Sequence, residues 1–65
     1  MASPLYRKLT AILKEHDCFF VREGNGDHEV WESPITGKRF TVDKGGKNRH
    51  TANGALKTAG IDKKV

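Results

Sequence analysis

Only one cysteine, Cys18, occurs in the 65 residues, so no internal disulfide can brace the fold. A secreted chain this short usually needs such bridges, and a reducing cytoplasm is the expected home. Cys18 opens an apolar stretch, which reads as a buried structural thiol rather than a nucleophile. No apolar run is long enough to cross a membrane, and no signal-peptide pattern stands at the start. With no second cysteine and three scattered histidines, no zinc-ligand spacing is present, and neither metal nor cofactor is expected. The length also leaves no room for a cofactor domain or a deep cleft. A domain of this size buries only about 60% of the surface its unfolded chain exposes. Any chemistry must therefore sit on an open surface, and a core this small gains from a binding partner.

What is abundant is positive charge. Twelve Lys and Arg against eight Asp and Glu leave a net charge of +4, with a pI near 9.5. Such a balance attracts polyanions or an acidic protein over long range. Solubility alone is the plainer explanation of the same surplus.

The pattern along the chain predicts helix, three strands, helix. Ser3 and Pro4 suit the cap and first position of a helix. Leu5, Leu9, Ile12 and Leu13 form its apolar stripe, which runs to about His16. Phe19 to Glu23 has strand composition, and Gly24-Asn25-Gly26 then supplies a tight turn. A second strand is expected over Asp27 to Glu32 and a third over Lys38 to Val42, separated by Ser33-Pro34 and Thr36-Gly37. The polar stretch from Asp43 to His50 reads as a loop. A last helix starts near Thr51, carries Ala52, Ala55, Leu56 and Ala59 on one face, and stops at Gly60. Ile61 is placed to fold back on Leu56, and Asp62 to Val65 reads as a frayed tail. The fold class is α+β, with both helices on one face of a three-stranded antiparallel sheet and the other face open.

A two-residue hairpin turn would pair Phe20 with Trp31, Val21 with Val30, Arg22 with Glu29, and Glu23 with His28. Phe20, Trp31, Phe40 and Val42 would then meet the helices, while His28, Glu23 and Arg39 would face solvent. A slip of one residue reverses every assignment, because the side-chain period is two.

On that surface His28 is the candidate catalytic group. Imidazole has an unperturbed pKa of about 6.5, so it gives and takes protons near neutrality. RNA carries its own nucleophile, the ribose 2′-hydroxyl. Cleavage needs that proton removed, the leaving oxygen protonated, and the charged phosphate stabilised. Glu23 is the candidate for holding one tautomer of His28. Lys38, Arg39, Lys47 and Arg49 are candidates for phosphate contact. His50, before the second helix, is a candidate RNA contact or second acid–base partner, against the plainer role of a solvated loop residue. His16 at a helix end reads as a cap, and Trp31 as core rather than a stacking surface. Taken alone, a strand histidine is most often an ordinary surface residue.

Phe20-Val21-Arg22, Gly26-Asp27-His28, an aromatic at Trp31, Pro34, a Thr-Val strand, and the final Thr51–Ile61 segment TANGALKTAGI together resemble the HicA toxins. These are the mRNA-cleaving halves of bacterial HicA–HicB toxin–antitoxin pairs, and the likeness runs through nearly the whole chain in order. It implies a double-stranded-RNA-binding-domain-like fold, metal-independent endoribonuclease activity, His28 as the catalytic histidine, and a HicB-type antitoxin that masks it. Asp27 stands where the family usually has serine, Asp43-Lys44 where it often has Pro-His, and His50 where it commonly has glycine. The alternatives are a non-catalytic module that recognises duplex RNA by shape, through the first helix and the Lys44–Arg49 segment, and a subunit whose basic face serves an acidic protein.

Overall fold

The structure, a computed structural model, describes residues 2–65. Helix α1 spans Pro4–Glu15, strands β1, β2 and β3 span Phe19–Glu23, His28–Glu32 and Arg39–Asp43, and helix α2 spans Arg49–Ala59. The strands form one antiparallel sheet in the order β1-β2-β3. Leu9 and Leu13 of α1, Ala52, Ala55, Leu56 and Ala59 of α2, and Trp31, Phe40 and Val42 of the sheet belong to a single buried cluster. Both helices therefore cover the same sheet face, and the α+β architecture is the expected one. None of the helices is long and apolar enough to cross a membrane, among the described residues.

Local chemistry explains the boundaries. The Ser3 hydroxyl accepts from the Tyr6 N–H at 3.1 Å and donates to the Gly46 carbonyl at 2.7 Å. It thereby caps α1 and ties the helix to the loop after β3. At the other end the His16 Nδ1–H donates to the Ile12 carbonyl, 2.9 Å away. Asp17 then takes a left-handed φ of 63°, and the Cys18 N–H returns to the Leu13 carbonyl at 2.9 Å. This closes the helix in the manner usually served by glycine. Cys18 is buried, as its apolar setting predicts.

Helix α2 begins earlier than its apolar stripe suggests, because the Asn48 side chain accepts from the His50 N–H and acts as the cap. Strand β2 starts one residue later than expected, and β3 is displaced by one residue, from Lys38–Val42 to Arg39–Asp43. The tail is not frayed. The Val65 N–H donates to Asn53 Oδ1 at 2.8 Å, and its side chain packs on the core.

The turn between β2 and β3 fastens the end of α2. Ser33 is fully buried and donates to the Ala59 carbonyl at 2.7 Å, while the Thr36 hydroxyl donates to the Thr58 carbonyl at 3.0 Å. Two carbonyls that a helix end leaves without partners are satisfied this way. Gly60 follows with φ 78°, and the Ile61 N–H reaches back to the Leu56 carbonyl at 3.0 Å.

Two glycines should respond oppositely to alanine. At Gly60 a Cβ would lie 2.9 Å from Thr36 Cγ2 and 3.0 Å from Ile35 Cγ2, on a left-handed backbone. At Gly54, inside α2, it would meet nothing within 4 Å. Urea unfolding should show Gly60→Ala less stable by about 1–2 kcal/mol or more. The same measurement should show Gly54→Ala more stable by up to about 1 kcal/mol.

Candidate functional site

The β1–β2 hairpin does not close with a two-residue turn. The Gly24 N–H donates to the His28 carbonyl at 2.8 Å, and the His28 N–H donates to the Asn25 carbonyl at 3.1 Å. Asn25, Gly26 and Asp27 form the loop, with Gly26 in a left-handed φ of 61°. The longer loop displaces the pairing by one residue, and a bulge at Val21 restores it further along. Arg22 pairs with Val30 and Glu23 with Glu29, whereas Phe20 still faces Trp31. A bulge interrupts the two-residue alternation of the strand that carries it. Arg22 is therefore on the open face and Glu23 on the helix-covered one, the reverse of the expected pair.

His28 is exposed, as expected, and shares the open face with Val30 and Glu32. Arg22, Gly24, Asn25, His28, Val30 and Thr41 line one open hollow of about 390 Å³. Asp43, rather than Glu23, is the carboxylate opposite His28, and it accepts from the Gly45 N–H at 3.0 Å. Glu23 instead pairs with Lys44, 3.4 Å away. No hydrogen bond engages the His28 ring among the described residues, so both nitrogens are available to a ligand. Arg22 donates to the Glu23 carbonyl at 3.3 Å and is in none of the ion pairs among the described residues.

The orientation of β2 is held from beneath. Glu29 is 8% exposed, and one of its oxygens, Oε1, accepts from the Tyr6 hydroxyl at 2.7 Å and from Trp31 Nε1 at 3.0 Å. Burial and the adjoining Glu29 and Glu23 carboxylates push the Tyr6 phenol from 10.0 up to about 12. Trp31 is core, as expected, at 4% exposure. Phe20 was expected to join it and does not. It lies on the helix side, but β1 is the edge that the helices leave uncovered, and Phe20 is 45% exposed.

The other cationic candidates are not gathered around His28. Arg39 is on the open face but at its far end, bound to Glu32 at 2.9 Å. Lys38 is exposed in the preceding turn. Lys47 and Arg49 line a hollow with Ser3, Leu5 and Lys8 at the start of α1, on the helix side. His50 lines another with Lys57, Lys63 and Lys64. Loop residues follow the helix they precede, and that helix is behind the sheet. Arg22 and Asp43 are the neighbours of His28 that sequence periodicity does not identify, since the three-residue loop and the β3 boundary bring them there, whereas the alternation of β3 already sets Thr41 on the open face.

Comparison with protein-family models, curated proteins and solved structures finds no match to this chain. Among the described residues, no group of three or more His, Cys, Asp or Glu side chains is placed to hold a metal ion.

Tyr6 is the only tyrosine, so its titration can be followed directly. Below pH 10 the folded and unfolded chains both keep the phenolic proton, and its contribution to stability is complete. Between pH 10 and about 12 only the folded chain keeps it, so stability declines as pH rises through this window. Tyrosinate absorbance of the folded protein should rise with a midpoint near 12. A midpoint near 10 with the fold intact would show that the phenol is not engaged by Glu29. Tyr6→Phe should abolish this part of the pH dependence.

Proposed function

We propose that the chain is a HicA-type toxin, an endoribonuclease that cleaves mRNA by acid–base chemistry centred on His28 and needs no metal. The observation that carries this reading is the uncovered imidazole on the open sheet face, in one hollow with Arg22 and Thr41. His28 takes the proton from a ribose 2′-hydroxyl, whose oxygen attacks the adjacent phosphorus. The bond to the 5′ oxygen breaks as a 2′,3′-cyclic phosphate forms, and the leaving oxygen takes a proton from water at this open surface. Arg22 balances the charge that builds on the phosphate oxygens.

The family resemblance supports the same reading, since His28 occupies the position of the HicA catalytic histidine. A HicB-type antitoxin would act by covering the open face, and the cytoplasm is the compartment where such a pair meets mRNA. Lys38, Arg39, Lys47, Arg49 and His50 lie away from the hollow, and their charge attracts RNA over long range, contributing affinity rather than chemistry.

One observation favours a second reading. Lys8, Lys47 and Arg49 share a hollow on the helix side, remote from His28. That cluster suits a non-catalytic module which contacts the phosphates of duplex RNA.

Incubation of the purified protein with RNA in excess chelator tests the proposal. Product should form, and His28→Ala should reduce the rate by roughly a hundredfold or more with the circular dichroism unchanged. Arg22→Ala should slow cleavage without affecting the fold. Equal cleavage by His28→Ala would remove the imidazole from the mechanism. Steeply salt-dependent binding without product would favour the duplex-binding module.

A further inference from the structure

The open face carries a second feature besides His28. Phe19 pairs with Glu32, which pairs in turn with Arg39, so all three side chains stand on this face. Phe19 is 47% exposed there, on an edge strand that the helices leave uncovered. The face is thus laid out in three rows: Phe19–Glu32–Arg39, Arg22–Val30–Thr41, and His28–Asp43. The first and last rows are four residues apart along β2, roughly 13 Å at strand rise.

We infer that Phe19 is a base-stacking platform, and that the open sheet face takes RNA as an unpaired strand. The inference rests on the RNA ligand proposed above and specifies its form. Duplex RNA presents rows of phosphate and keeps its bases stacked inside. The charges of this face do not match such rows. Arg39 is bound to Glu32, Asp43 stands opposite His28, and Arg22 is the cation there without a carboxylate partner. An unpaired strand needs less cationic surface, because each base brings its own contact with an aromatic ring. Arg22 then holds one phosphate beside His28, while a base nearby in sequence lies on Phe19. At the ~3.4 Å rise of a stacked strand, the two points are at most about four nucleotides apart.

Phe20 provides an internal control. It adjoins Phe19 and is similarly exposed, at 45%, but pairs with Trp31 on the opposite face. Removal of its ring takes a comparable apolar patch from the same edge without touching the open face.

Fluorescence anisotropy with a labelled single-stranded RNA of about ten nucleotides tests the inference, with binding separated from cleavage by the His28→Ala background. Phe19→Ala in that background should weaken binding about five- to hundredfold, Phe19→Tyr should restore it, and Phe20→Ala should leave it within about twofold. The same sequence annealed to its complement should bind more weakly and ignore the Phe19 substitution. Equal affinity of the Phe19→Ala protein for the single strand, or tighter binding of the duplex, would overturn the inference. Because cleavage is assayed separately, an inactive protein that still binds through Phe19 would sink the nuclease proposal and leave this one standing.

Discussion

A carboxylate with almost no access to water governs the arrangement of this sheet. Glu29 points into the helix-covered side of β2, where an unpartnered charge would be strongly destabilising. It is tolerated because Tyr6 of α1 and Trp31 of the same strand both donate to one of its oxygens. The three residues form a pin through the interface between α1 and the sheet. Since side chains alternate along a strand, Glu29 and Trp31 facing inward oblige His28, Val30 and Glu32 to face outward. The exposure of the imidazole follows from the burial of its neighbour.

Backbone contacts then set the end of β2 in place. The Lys44 N–H donates to the Asp27 carbonyl at 2.8 Å, and the Lys44 carbonyl accepts from the Ser3 N–H at 2.8 Å. The residue before His28 is thereby linked to the loop after β3 and to the cap of α1. The acid–base role proposed for His28 would benefit from such support, because side chains on strands are held more precisely than those on loops. In a chain this short, the hydrogen bonds that close the fold also define the surface where chemistry is proposed.

The molecule presents two unlike surfaces. The open sheet face combines an imidazole, an arginine and an aromatic ring with carboxylates nearby. The helix side concentrates Lys8, Lys47 and Arg49 in one hollow and His50, Lys57, Lys63 and Lys64 in another. Its character is electrostatic, and it provides general attraction to a polyanion. The net positive charge that is evident in composition therefore belongs mostly to the surface away from His28.

Much of this was legible in the amino-acid order. Apolar spacing marks α1 and α2, the Ser3-Pro4 cap and the Gly60 stop act within a turn of chain, and the alternation of Phe40 and Val42 marks the buried face of β3. These signals are local, so neighbours in sequence suffice to produce them. The exposure of His28 follows from an inward-facing Trp31 in the expected pairing and in the observed one alike, although Glu23 pairs with Glu29 rather than with His28. The faces of Arg22 and Glu23, the uncovered Phe20, and the partnership of Asp43 with His28 were decided only when distant segments met. A three-residue loop and a one-residue bulge displace the register by compensating amounts. Glu29 and Trp31 meet Tyr6 of α1 across the core and fix which face of β2 is buried, contacts that no short window of sequence contains.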